Sequence, residues 1–173
     1  APSLSGGIDY SDESGFYAGS WVGTIDWTDE TSDDKGAEVD FYAGFGGEAG
    51  DFGYDVGYIY YYYPATGYED SNFGEIYLNG SFGDLGFGVA YTINSDADDD
   101  VPFGTGDLYY NVSYGFDLSN DYTLGLTYGY YDFDYGHFQV DLGKGDFTLT
   151  ISKADKESGS DDTNFAVSWG TTF

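Results

Sequence analysis

The 173-residue chain has no cysteine, no methionine and no arginine, a single histidine and three prolines. Each scarcity removes a class of chemistry. Without Cys there are no disulfides, no thiolate metal ligands and no Cys nucleophile. With His137 as the lone imidazole, a His-based zinc site has little to build from. Lys35, Lys144, Lys153 and Lys156 are the only bases against 32 acids, and the net charge is −28. A phosphate backbone needs Lys and Arg to neutralise it, so no nucleic-acid partner is expected. No Gly-rich segment ends in Lys-Ser/Thr, which argues against a P-loop. No apolar run approaches the roughly 18 residues of a transmembrane helix, and no basic-then-apolar targeting pattern opens the chain. A β-barrel escapes both tests, because its strands alternate and keep mean hydropathy low.

What the chain does contain is aromatic and small. Aromatics make up 21% of it, with 20 Tyr, 14 Phe and 28 Gly. A disordered acidic chain is poor in aromatics, so disorder does not fit. Tyr, Phe, Thr and Val favour strands, while Gly and Asp favour turns. The composition therefore predicts an all-β fold, in a length that suits one domain, 1–173.

Alternation of period two predicts eleven strands, near 3–10, 16–27, 37–46, 53–63, 73–82, 85–94, 107–116, 122–131, 137–143, 147–152 and 165–173. In 85–94, Leu85, Phe87, Val89, Tyr91 and Ile93 oppose Gly86, Gly88, Ala90, Thr92 and Asn94. In 122–131, Tyr122, Leu124, Leu126, Tyr128 and Tyr130 oppose Thr123, Gly125, Thr127 and Gly129. Such strands are longer than the usual soluble mode of roughly 5–6 residues and close to the ~9–11 that cross a bilayer. One apolar face and one face of Gly, Ser, Thr, Asn and acids suit a barrel with lipid outside and water inside.

Connections alternate as well. Short turns fall near 11–15, 47–52, 83–84, 117–121 and 143–146, longer loops near 28–36, 64–72, 95–106, 132–136 and 153–164. Short periplasmic turns facing longer extracellular loops is the outer-membrane pattern. On that register Trp27, Tyr60, Tyr62, Tyr128 and Tyr130 form an outer aromatic girdle, and Phe16, Tyr17, Tyr54, Trp169 and Phe173 an inner one. Bacterial single-chain barrels have an even strand number. Counting back from 165–173, strand 3–10 starts outside, so the expected architecture is an antiparallel up-and-down transmembrane barrel of twelve strands. Its first strand is then absent from this chain or comes from elsewhere.

Several segments resemble the TorF-type porins, a family of proteobacterial outer-membrane proteins. Gly6-Gly7-Ile8-Asp9-Tyr10 and Glu13-Ser14-Gly15-Phe16-Tyr17-Ala18-Gly19-Ser20-Trp21 resemble that family's opening motif. Further matches are Glu38 to Phe45, Tyr54-Asp55-Val56-Gly57, Tyr63-Pro64, Glu75-Ile76-Tyr77, Tyr128 to Asp132 and Ala166 to Phe173. The resemblance covers most of the chain, and its first two blocks are the specific ones. It implies a bacterial outer-membrane barrel in contact with outer-membrane lipid. Phe173 resembles the C-terminal aromatic that delivers such proteins to the barrel-assembly machinery. Family members carry a strand with an Arg-Gly pair ahead of the Gly-Gly motif, which this chain lacks. No catalytic residue carries over, and the resemblance fixes no solute.

The acids supply the candidate chemistry. Asp9, Asp26, Glu38, Asp40, Asp55, Glu75, Asp107 and Asp141 are expected to line the polar interior, where carboxylates attract cations and repel anions. A merely solvated acidic face with no ion path is the competing reading. The loop acids Asp96, Asp98, Asp99 and Asp100 could hold loosely bound divalent cations, as could the groups Asp29, Glu30, Asp33, Asp34 and Asp155, Glu157, Asp161, Asp162, though no spacing matches an EF-hand. No other cofactor is expected. Self-repulsion at −28 favours a saline setting, where salt screens it. His137, close in sequence to Asp132 and Asp134, is the sole catalytic hook, and an enzyme is not expected. The sequence thus favours a cation-leaning passive channel. A non-conducting scaffold barrel with an acidic outer surface stands as the alternative, and a soluble or fibrous extracellular β protein as the third reading. An oligomer is compatible with all of these, and nothing in the sequence marks a protomer interface.

Overall fold

The computed structural model describes residues 3–28, 33–64, 70–97, 101–158 and 161–173, with 26–28 and 33–35 as backbone only. The strands are β1 (Ser5–Ser11), β2 (Phe16–Thr28), β3 (Asp33–Ala49), β4 (Phe52–Tyr62), β5 (Phe73–Phe82), β6 (Leu85–Ser95), β7 (Leu108–Asp117), β8 (Tyr122–Tyr131), β9 (Tyr135–Lys144), β10 (Phe147–Ala154) and β11 (Thr163–Trp169). They form one antiparallel up-and-down ladder in chain order, β1 to β11. Helix is limited to single 3₁₀ turns at Ser119–Asp121 and Lys156–Ser158.

The eleven strands stand where the alternation predicts them, but the ladder is not closed into a barrel. In an antiparallel ladder of eleven, the first and last strands run in the same direction, so β1 and β11 cannot pair with each other in the antiparallel manner.

Three of the differences from expectation stand out. β3 begins at Asp33, inside the segment read as a loop, because its ladder with β2 continues to Thr28↔Asp33. Backbone pairing does not require the apolar alternation that revealed the rest of the strand. The expected long loop at 132–136 is a tight turn. Asp134 takes a positive φ of 84°, Leu108 N donates to Asp132 Oδ1 at 2.9 Å, and β9 resumes at Tyr135. The last strand ends at Trp169 rather than 173, and Phe173 is wholly exposed.

Contacts group the chain into two compact units. The first comprises Ala1–Ala49, Gly53–Leu78 and Ala90–Asp107. Its register sorts side chains by chemistry. Asp9↔Gly19, Tyr17↔Gly44, Gly19↔Tyr42, Trp21↔Asp40 and Gly23↔Glu38 share one face of β1–β3. Ile8↔Ser20, Val22↔Val39, Ser20↔Phe41 and Phe16↔Phe45 share the other. On that second face Ile8, Phe16, Val22, Phe41 and Phe45 are all exposed. The small buried apolar core lies elsewhere in this unit. Phe73 and Tyr63 are buried, and Tyr61 and Phe103 stack on Phe73 with ring centroids 4.3 and 4.8 Å away. The loop after β6 delivers Phe103, held by Thr92 N to Asp107 O (3.0 Å) and Gly106 N to Thr92 O (2.9 Å).

The second unit comprises Gly50–Phe52, Asn79–Val89 and Leu108–Phe173, and repeats the segregation. Across β7–β11 the polar series runs Ser113↔Thr127↔Gln139↔Ser152↔Asn164. The apolar series runs Tyr114↔Leu126↔Val140↔Ile151↔Phe165. Its hairpins β5–β6 and β9–β10 turn on Gly83-Asp84 and Gly145-Asp146. Their glycines sit at φ 56° and 57°, which a two-residue turn with a positive first φ requires.

Candidate functional site

The polar face of the first unit carries a network of tyrosine hydroxyls and carboxylates. It is built from alternation alone: every second residue of a strand reaches the same face, so Glu38, Asp40 and Tyr42 of β3 are brought together. The Tyr17 hydroxyl donates to Asp55 Oδ1 and hydrogen bonds with the Tyr77 hydroxyl. Tyr42 donates to Asp9, and Tyr63 donates to Glu38 Oε2. Glu75 is 7% exposed and accepts from Tyr61 and, at 3.4 Å, from Thr92 Oγ1. Asp40, also 7% exposed, differs from the others: its Oδ1 has no hydrogen-bond partner among the described residues.

The expected lining residues whose side chains are described fall into three groups. Asp9, Glu38, Asp40, Asp55 and Glu75 meet in this network, within reach of five tyrosines. Asp107 precedes β7 and accepts Gly104 N at 3.1 Å, holding the loop that delivers Phe103. Asp141, in the second unit, accepts from Gln139 Nε2 at 2.8 Å and from Thr150 Oγ1. It borders a cleft of about 330 Å³ floored by Gly115, Gly125 and Gly143 with Thr123 and Thr148. The backbone of Asp26 pairs with that of Lys35 in the β2–β3 ladder. Its side chain lies outside the described residues, as does that of Trp27.

Of the expected girdle, Tyr128 and Tyr130 fall on the apolar face of β8. Tyr130 packs on Tyr110 at 5.5 Å, and Tyr128 is exposed. Tyr62 and Trp169 are exposed and Tyr60 is partly so. Tyr17 departs from the inner girdle: it sits on the polar face, bonded to Asp55. Tyr61 and Tyr63 likewise belong to the polar network. Their signal in the sequence was parity within the run Tyr60 to Tyr63, since odd-numbered positions of β4 share the face of Asp55.

The other candidates are spoken for locally. His137 Nε2 hydrogen bonds with the Tyr109 hydroxyl at 3.0 Å, and the two rings stack. Neither nearby acid pairs with it in these contacts: Asp132 Oδ1 accepts Leu108 N, and Asp134 Oδ1 accepts the Tyr130 hydroxyl at 3.1 Å. Asp96 Oδ2 accepts Asn72 Nδ2 at 2.9 Å, while Asp98, Asp99 and Asp100 lie outside the described residues. Among the described residues no group of three His, Cys, Asp or Glu is placed to hold a metal ion.

Fold and site together define an all-β protein of long antiparallel strands, whose first unit has one exposed apolar face and one face of carboxylates and tyrosines. The chain belongs to the family Gcw_chp, described as a bacterial protein of unknown function, which matches residues 1–164. No curated protein and no solved structure matches it.

Proposed function

We propose that the protein is an outer-membrane β-barrel that passes small solutes passively and favours cations. The observation that carries this reading is the segregation of the two faces. Within each unit, large apolar side chains stand exposed on one face, Phe41 in the first and Val112, Phe138 and Val167 in the second, while acids and hydroxyls in the first unit, and hydroxyls and amides in the second, occupy the other. A water-soluble sheet has no use for so long a row of exposed apolar residues, whereas lipid removes its cost. The acids of the opposite face then bound a wet interior and set the sign of the permeant ion. The TorF-type resemblance agrees with this reading. So do the absence of arginine and the four lysines, which leave little to attract an anion.

A second reading is supported by the hydroxyl network. Tyr17, Tyr42 and Tyr63 each reach across the sheet to a carboxylate, and side chains locked this way can fill a small barrel and leave it a scaffold. Recording from the full-length protein in a planar bilayer under a KCl gradient decides between them. The expected result is discrete conductance with a cation-selective reversal potential, moved towards zero by combined Glu38→Gln and Glu75→Gln substitution. Protein that inserts and never conducts would leave the scaffold reading.

A further inference from the structure

We propose that Asp40, with Glu38 beside it, binds one small monovalent alkali cation on the polar face of the first unit. The inference deepens the channel reading and rests on it for the ion's access.

It starts from Asp40 itself. A buried carboxylate needs a full set of donors or a counter-charge, and Asp40 Oδ1 has neither among the described residues. The chain offers few cations of its own. It has four lysines and no arginine. Two residues along the same face, Glu38 brings a second carboxylate, oriented by the Tyr63 hydroxyl. Asp40 faces Trp21 across the β2–β3 ladder, and a Cβ at Gly23, the partner of Glu38, would meet the Trp21 ring. The indole therefore leans along β2 over Gly23.

Calcium takes six to eight oxygens, and no three acidic or imidazole side chains among the described residues are grouped for it. One alkali ion would offset one of the two charges and so relieve the repulsion between Asp40 and Glu38.

Sodium-23 relaxation measured on the full chain in lipid nanodiscs, titrated with NaCl and competed with KCl, tests the site. Saturable, K⁺-displaceable broadening is expected, weakened about tenfold or more in Asp40→Asn and kept in Asp51→Asn, which alters the exposed β3–β4 turn. Wild-type binding in Asp40→Asn overturns the proposal. So does an infrared band from a protonated carboxyl in Na⁺-loaded wild type that vanishes in that variant. Should Asp40→Asn fail to fold, Glu38→Gln serves instead, and unchanged binding there overturns the site. Bilayer recording separates the two readings. Asp40-dependent binding without conductance keeps the site and removes the channel, and conductance without such binding does the reverse.

Discussion

Tyr17 of β2 hydrogen bonds with Asp55 of β4 by passing over Gly44 of β3. Gly44 is the direct cross-strand partner of Tyr17, and a Cβ built there would fall on the phenol. The absence of a side chain at one position is what allows two others, 38 residues apart, to meet. The pair Gly19↔Tyr42 repeats the device one step along, with Tyr42 donating to Asp9.

Gly44→Ala is therefore expected to destabilise the fold by about 1–3 kcal/mol, the usual cost of overpacking, because the Tyr17 ring must leave its bond. Denaturant unfolding in detergent reads this. The double variant Gly44→Ala, Tyr17→Phe should lose much less than the sum of the single effects, since one bond underlies both. Full additivity would disprove the arrangement.

The face assignment makes a sharper demand. Leu126 pairs with Tyr114 and Val140 in the apolar series, and Thr127 with Ser113 and Gln139 in the polar one. If the apolar face meets lipid, Leu126→Arg should cost about 2–4 kcal/mol of membrane stability. Thr127→Arg, one residue along, should cost far less, its charge reaching water. Heat-modifiable migration in SDS and folding yield into vesicles compare the two. Equal tolerance would remove the lipid-facing assignment.

The β1–β2 turn supplies a pH prediction. Ser14 Oγ and Ser14 N both donate to Asp12 Oδ1, the latter at 2.8 Å, and these bonds hold the Asp12 carboxyl below its ordinary range. A carboxyl lowered in the folded state stabilises the turn above the unfolded value of about 3.9. That contribution is lost as pH falls through the lowered one. Carbon-13 titration of the Asp12 carboxyl should show its midpoint rising in Ser14→Ala. An unmoved midpoint would show that the hydroxyl is not its main partner.

The fold was legible because strand alternation and Gly-Asp turns are local signals. β5 at 73–82 and β8 at 122–131 lie where the alternation places them. The turn at 132–136 was not, because a non-glycine positive φ at Asp134 and the bridge from Asp132 to Leu108 have no local signature. The candidate site was half legible. Parity places Glu38 and Asp40 on one face, but Tyr17 looks from sequence like one more rim aromatic.

The sequence by itself determined the all-β class, the two faces and the sign of the charge, since each follows from composition and a period of two. The tertiary structure decided which hydroxyl meets which carboxylate, and that Asp40 keeps a buried oxygen without a partner among the described residues. Those outcomes depend on cross-strand register between residues 25 to 60 positions apart. Pairing at such distances is set by the ladder as a whole, where a slip of one residue would exchange the faces.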